Sequence, residues 1–228
     1  MKFDLYDDGI GFVEYVQHMG DDLTIVNAAR VSFGKHKTEM DDKDRKLIKY
    51  LVDHKHTSTL EHNVMTFRFK VPLFVRSQHH RHRTWSYNEI SRRYTSFDLQ
   101  FYEPKSFRSQ HKSNRQASNL DKINPVIFPD LSDPEFGVQA DLIVSQHHQK
   151  SLKLFNMLIK SGVCREQARG VLPQNMYTEY YGTCNLNNII KFIKLRDHDG
   201  AQHEIRDVAL GIKKIASYFW PTAFKHLG

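Results

Sequence analysis

Hydrophobic and polar residues alternate most cleanly from Thr66 to Val71. Phe67, Phe69 and Val71 fall on one side, with Thr66, Arg68 and Lys70 on the other. A two-residue period predicts a half-buried β-strand, and Pro72, lacking an N–H, ends it. Phe3 to Val16 reads as short strands broken at Asp7-Asp8-Gly9. Phe97, Leu99 and Phe101 predict a further alternating strand, and Met176 to Thr183 an aromatic one. Helical spacing appears elsewhere. Asp22 is expected to cap a helix that carries Leu23, Ile25, Val26 and Ala29 and ends at Val31-Ser32. Asp41, Asp42 and Asp44 place acids at the start of a second helix, favourable for its dipole, with Leu47, Ile48, Leu51 and Val52 as its apolar face. Val138, Leu142, Ser145, Leu152, Phe155 and Ile159 predict a long helix stopped by Gly162. A helix near Asn188 to Leu195 follows, then a terminal amphipathic one marked by Ile205, Val208, Ala209, Ile212, Ile215 and Phe219.

Pro104 to Gly137 is polar and turn-rich, with Pro125, Pro129 and Pro134, and is expected to be a variable surface loop. No repeat, low-complexity tract or Gly/Ser linker divides the chain, so residues 1–228 are expected to form one domain. Strands and helices mix without βαβ regularity. The predicted class is therefore α+β, a mixed or antiparallel sheet flanked by helices.

Composition narrows the function. No apolar run approaches the ~20 residues that a membrane helix needs, and Met1 to Tyr6 is no signal peptide, so a cytoplasmic location is expected. Two cysteines, Cys164 and Cys184, exclude a disulfide-rich scaffold and a four-cysteine zinc site. A formal charge of +7 predicts anionic partners without choosing among them. The distribution says more: from Arg76 to Arg93 there are five arginines and three histidines against one carboxylate, Glu89.

Within that run lies Arg81-His82-Arg83-Thr84-Trp85-Ser86-Tyr87-Asn88-Glu89-Ile90-Ser91-Arg92-Arg93-Tyr94. Guanidinium groups take phosphate in bidentate fashion, while Asn88 and Glu89 offer the donors and acceptors that a sugar or heterocycle needs. Plainer readings stand beside this one. Ser86-x-x-Glu89 and Ser58-x-x-Glu61 have capping-box spacing, and the arginines suit a solvated helix face. His56 and His62, or His79, His80 and His82, have spacings open to a metal, but neither cluster brings a convincing third ligand, and no metal is expected.

Arg81-His82-Arg83, seven residues and then Ser91 resembles the signature of the flavin-dependent thymidylate synthases, and the similarity covers most of the chain outside 104–137. The resemblance implies reductive methylation of dUMP to dTMP, with methylenetetrahydrofolate as carbon donor, FAD as hydride carrier and NADPH as reductant. Carried over residue by residue, it places Gln78, Arg81, Glu89, Ile90, Ser91, Arg92, Arg93, Arg169 and Arg196 on dUMP, with Arg196 catalytic at the uracil edge. Ser58, Arg81, His82, Arg83, Asn88, Glu89, Asn185, Asn187 and Lys191 fall on the FAD side. Three departures lie near the flavin. Lys191 stands where Asn or His is usual, Asn187 where Arg is common, and Gly200 where His is common. No Gly-x-Gly-x-x-Gly occurs, so no dinucleotide-binding fold is expected to hold the flavin. The resemblance also implies a homotetramer with shared sites, acting on small molecules, with neither nucleic acid nor membrane as partner. Neither cysteine sits in a context suited to thiolate addition at uracil C6. The rival classes are a non-catalytic nucleic-acid binder, resting on charge, and a histidine-metal hydrolase.

Overall fold

The computed structural model describes residues 1–95, 98–128 and 136–225, so Phe97, Pro129 and Pro134 lie outside the described residues. In chain order come β1 (Lys2–Asp4), β2 (Phe12–Met19), α1 (Asp22–Arg30), α2 (Asp42–Asp53), β3 (Val64–Pro72) and α3 (Leu73–His79). Then follow β4 (Ser86–Glu89), β5 (Phe107–Gln110), β6 (Ser118–Ile123), β7 (Val126–Ile127), β8 (Val138–Gln139) and α4 (Ala140–Lys160). The last are α5 (Arg165–Ala168), β9 (Tyr177–Asn185), α6 (Leu186–Arg196), α7 (His203–Phe219) and α8 (Pro221–Lys225). Among the described residues this is an α+β fold, as expected. The chain divides into two compact units, Met1–Lys70 with Ser77–Glu89 and Glu179–Gly228, and Val71–Arg76 with Ile90–Thr178.

The first unit is organised by a five-stranded sheet in the order β1-β2-β3-β9-β4, with antiparallel pairing in β1–β2, β2–β3 and β4–β9. Phe67 and Phe69 are fully buried, as the alternation requires, and Met65 joins them. α7 lies on β1 and β2 through Ile205, Val208, Ile212 and Ile215. Its approach is close: a Cβ on Gly211 would come within 2.9 Å of the Phe3 ring. Full burial of an Ile side chain contributes about 1.5–3 kcal/mol, so this apolar stripe outweighs any helix propensity in fixing α7. α6 packs against α7 in turn, and its Leu186, Ile189 and Phe192 are buried.

Two aspartates act at longer range than the sequence pattern suggests. Asp21, rather than Asp22, caps α1, accepting the Thr24 N–H at 2.8 Å. Asp22 is buried and accepts the backbone N–H groups of Thr222 (2.7 Å) and Ala223 (3.2 Å), closing the first turn of α8. Asp44 has a fully buried side chain that pairs with Arg30 and Lys37 and accepts the Asp41 N–H at 3.0 Å. It thereby ties the exposed 31–40 segment to α2. Burial works against the Asp44 carboxylate, but Lys37, the Asp41 amide and Arg30 together outweigh it and hold the carboxyl well below the usual range.

The second unit carries α4, α5 and two small sheets, β5–β6 and β7–β8. The expected 104–137 loop thus contains one antiparallel pair, Phe107 opposite Ile123, and one strand of another, with Val126 opposite Gln139 just beyond it. No described residue from Glu103 to His147 is buried, which is why no hydrophobic period marks these strands. The strand expected from Phe97 to Phe101 does not form over its described part; Phe101 makes a single bridge to Met176. α4 ends as expected, with Gly162 at φ +88°.

Asp44→Ala should lower unfolding free energy by about 3 kcal/mol, because two cations lose a buried partner. Asp42, whose pair with Arg45 is exposed, serves as the control, and Asp42→Ala should cost less than about 1 kcal/mol. Urea titration at neutral pH checks this. The Asp44 contribution is present above the ordinary carboxylate range and is lost as pH falls below it, so the two curves should converge in acid. A wild-type midpoint for Asp44→Ala would show that the ion cluster does not stabilise the fold.

Candidate active site

The arginine-rich signature opens at the end of α3 and runs through a tight turn into β4. His82 N–H donates to the His79 carbonyl at 2.9 Å, and Trp85 N–H to the His82 carbonyl at 3.2 Å. β4 then pairs with β9, Ser86 opposite Thr183 and Glu89 opposite Tyr180. Ser86-x-x-Glu89 is therefore an edge strand and not a capping box. Pleating exposes Ser86 and Asn88 and half-buries Tyr87 and Glu89. Beneath the turn lies an aromatic floor. Trp85 is buried, with ring centroids 4.7 Å from His79 and 5.8 Å from Phe192. Gly182 makes room, since a Cβ there would meet the Phe69 ring at 2.9 Å and Trp85 at 3.3 Å.

His79 is fully buried in this floor, and its Nδ1 shares a 2.8 Å hydrogen bond with the Tyr180 hydroxyl. Burial, then the nearby His82, His80 and Arg196, pushes its pKa well below the ordinary histidine value, so the ring is neutral. The Tyr87 hydroxyl donates to the His79 and His82 carbonyls at 2.9 and 3.2 Å, pinning the turn from below. His82 is pushed down to about 4, first by burial and then by Arg196, whose Nε lies 3.2 Å from His82 Nε2. Arg196 ends α6, and burial lowers its own pKa. Arg81 and Arg83 are exposed on the turn. The Gln78 amide donates to Gln202, which in turn reaches Glu204 at 2.9 Å.

The residues expected on the flavin side form two clusters. One is the turn with Arg81, His82, Arg83, Asn88 and Glu89. The other gathers at the start of α6: Asn185 caps the helix by accepting the Asn188 N–H at 3.0 Å, and buried Asn187 donates to Glu61 at 2.9 Å. Glu61 follows the short 3-10 turn Thr57–Leu60, where Ser58 is exposed and takes part in no side-chain cap. The capping box expected at Ser58-x-x-Glu61 is absent. Lys191 is exposed one turn beyond Asn187, on the same stripe of α6. At 1.5 Å per residue, Asn187 and Arg196 are about 14 Å apart along the helix. One helix thus separates the clusters.

In the second unit, Ser91, Arg92 and Arg93 follow Ile90, which is exposed. Arg93 N–H donates to the Ser91 hydroxyl at 3.3 Å, and the Arg93 guanidinium pairs with Glu166 at 3.5 Å. Glu166 sits on α5 one turn before Arg169, so Arg93 reaches the segment that carries this other cation. Arg92 contacts the Tyr177 carbonyl at 3.4 Å. Among the described residues, no group of three or more His, Cys, Asp or Glu side chains is placed to hold a metal ion. Cys164 is exposed, while Cys184 is buried and its thiol is pushed up to about 12 by that burial.

Guanidinium, amide and carboxylate groups thus lie on a turn and edge strand above an aromatic floor, a donor and acceptor set that suits a nucleotide. The model for the thymidylate synthase complementing protein family matches residues 14–222. A flavin-dependent thymidylate synthase from Kosmotoga olearia is 39% identical over 215 residues, covering 94% of this chain and 89% of the relative. One from Thermus thermophilus is 44% identical over 214 residues, covering 94% and 74%. Among solved structures, a UMP/dUMP methylase, PolB from Streptomyces cacaoi, bound with 5-Br dUMP, aligns with a TM-score of 0.78 at 30% identity, covering 98% of this chain and 96% of that one. The chain belongs to the flavin-dependent thymidylate synthase family.

The aromatic floor lies outside the set of expected site residues. Its signal in the sequence is the alternation Thr178, Tyr180, Gly182, Cys184 along β9. His79 has a measurable consequence. The folded chain refuses a proton that unfolded histidine takes up below about pH 6.5, so stability is full above that pH and declines as pH falls through it. His79→Gln should reduce this dependence, with His82 supplying the remainder, in urea midpoints taken from about pH 5 to pH 7.5. An equally steep slope in the variant would locate the proton uptake at another group.

Proposed function

We propose that the protein methylates dUMP at uracil C5 to give dTMP, drawing carbon from methylenetetrahydrofolate. The single observation that carries this reading is the intact signature on the α3–β4 turn, with Arg196 brought against it through His82. The solved relative, a UMP/dUMP methylase bound with 5-Br dUMP, supports the substrate class. Arg92, Arg93 and Arg169 would bind the phosphate, helped by Ser91 and the backbone at Ile90. Gln78, Arg81 and Glu89 would bind the nucleoside. Arg196 would take the uracil edge and stabilise charge that grows at N3 and O2.

The donor set fits an anionic flavin dinucleotide. Arg81, Arg83 and Lys191 offer exposed cations, and Ser58, Asn88 and Asn185 offer hydroxyl and amide groups. Bound FAD would supply the hydride that completes the methyl group, with NADPH as the source of reducing equivalents. The chain's own contribution is position and charge: the aromatic floor excludes water, and the guanidinium groups neutralise the substrate. The separation of the flavin-side residues into two clusters supports sites shared between copies, as in a homotetramer.

Arg196→Ala should reduce kcat by roughly 100-fold with dUMP binding little changed, because the charge it meets develops toward the transition state. Arg93→Ala should instead weaken dUMP binding, since phosphate carries the same charge in both states. Calorimetry and single-turnover kinetics separate the two, and the reverse pattern would contradict both roles.

A thiolate route is disfavoured by the buried, high-pKa Cys184, and the Cys164 thiol is given to the Gln167 side-chain oxygen at 3.6 Å. The Cys164→Ala/Cys184→Ala enzyme should keep dTMP formation within about tenfold of wild type, reflecting packing alone. A folded, flavin-loaded double variant without product would sink the thiolate-free mechanism while leaving the substrate assignment intact.

A further inference from the structure

His82 stands in a position that a flavin contact alone does not explain. Phe192 and Arg196 are one turn apart on α6 and so share a face. The His82 ring meets both: its centroid lies 4.7 Å from Phe192 at 78°, edge to face, and its Nε2 lies 3.2 Å from Arg196 Nε. An arginine Nε carries a proton and accepts nothing, so His82 Nε2 must be the acceptor. The imidazole is then neutral and carries its own proton on Nδ1.

The groups around the ring favour that state. From α6 come the Arg196 charge and the apolar Phe192 face; from α3 comes neutral, buried His79, with ring centroids 6.3 Å apart. The His82 backbone is fixed as well, its N–H given to the His79 carbonyl and its carbonyl taking the Trp85 N–H and the Tyr87 hydroxyl. Backbone and ring are both held, so the lone pair points where Arg196 needs it.

We infer that His82 is a positioning residue for Arg196: its Nε2 lone pair engages the guanidinium Nε–H and leaves the Nη1/Nη2 edge for a planar pair of acceptors on the substrate. A guanidinium turns about its last side-chain bonds, and an acceptor on Nε selects the edge it presents. Ionised at N3, uracil offers N3 and the O2 carbonyl as two acceptors along one ring edge, which suits the two parallel N–H groups of the Nη edge. This inference rests on the uracil-edge role proposed for Arg196.

The test is a double-mutant cycle on dTMP formation, with flavin affinity measured for every variant. His82→Ala should lower kcat about tenfold while the dUMP Kd stays within about threefold. His82→Gln, whose amide oxygen can take the same N–H, should recover most of the loss. In the Arg196→Ala background, compared at saturating FAD, His82→Ala should lower kcat by far less than the tenfold seen beside an intact Arg196. Multiplied losses in the double variant, or a His82→Gln enzyme no better than His82→Ala, would overturn the inference. Full turnover in Arg196→Ala would instead remove the role on which it rests. The contact has its own readout in nitrogen-detected NMR of the histidines. His82 should be the Nδ1–H tautomer at neutral pH, and its pKa should rise in Arg196→Ala; an Nε2–H tautomer would refute the contact irrespective of activity.

Discussion

The pairing of β4 with β9 is the constraint on which the rest of the site depends. β4 is four polar-rich residues at the edge of the sheet, too short and too exposed to hold its place by burial of its own side chains. β9 holds it because its inward positions are Tyr180, Gly182 and Cys184. Gly182 admits the Phe69 and Trp85 rings, and Tyr180 binds the histidine that ends α3. A side chain at position 182 would push Trp85 outward and loosen the turn that carries Arg81, His82 and Arg83.

Electrostatics follow from that packing. A turn with several arginines and histidines would repel itself if every imidazole were charged. Burial keeps His79 neutral and, with Arg196, holds His82 down at about 4. The positive charge near neutral pH is thus concentrated on guanidinium groups, which take phosphate and heterocycle edges in bidentate fashion. The aromatic floor sets protonation as much as shape.

Periodicity reveals the elements that bury one clear face. β3, α6, α7 and the long α4 are legible because their apolar residues recur at strand or helix spacing. The signature is legible as a motif, yet its local structure is not. Ser86 and Glu89 satisfy the capping-box pattern, and only pairing with a strand some 100 residues away makes them β. α3 escapes detection because seven residues after Pro72 carry too little periodic signal. Strands β5 to β8 escape it because no described residue in them is buried. Asp22 shows the same limit from another side: it looks like the cap of its own helix and instead closes α8, 200 residues away. Asn187, an unexpected residue for the family, turns inward to Glu61, which accounts for it locally.

The central claim is that this site works through a bound flavin. The visible absorption spectrum of the purified protein, with FAD added where the protein emerges without it, tests that claim most directly. The account predicts a yellow protein that retains FAD through gel filtration and bleaches when NADPH is added without oxygen. A colourless protein that neither retains FAD nor quenches its fluorescence would contradict it.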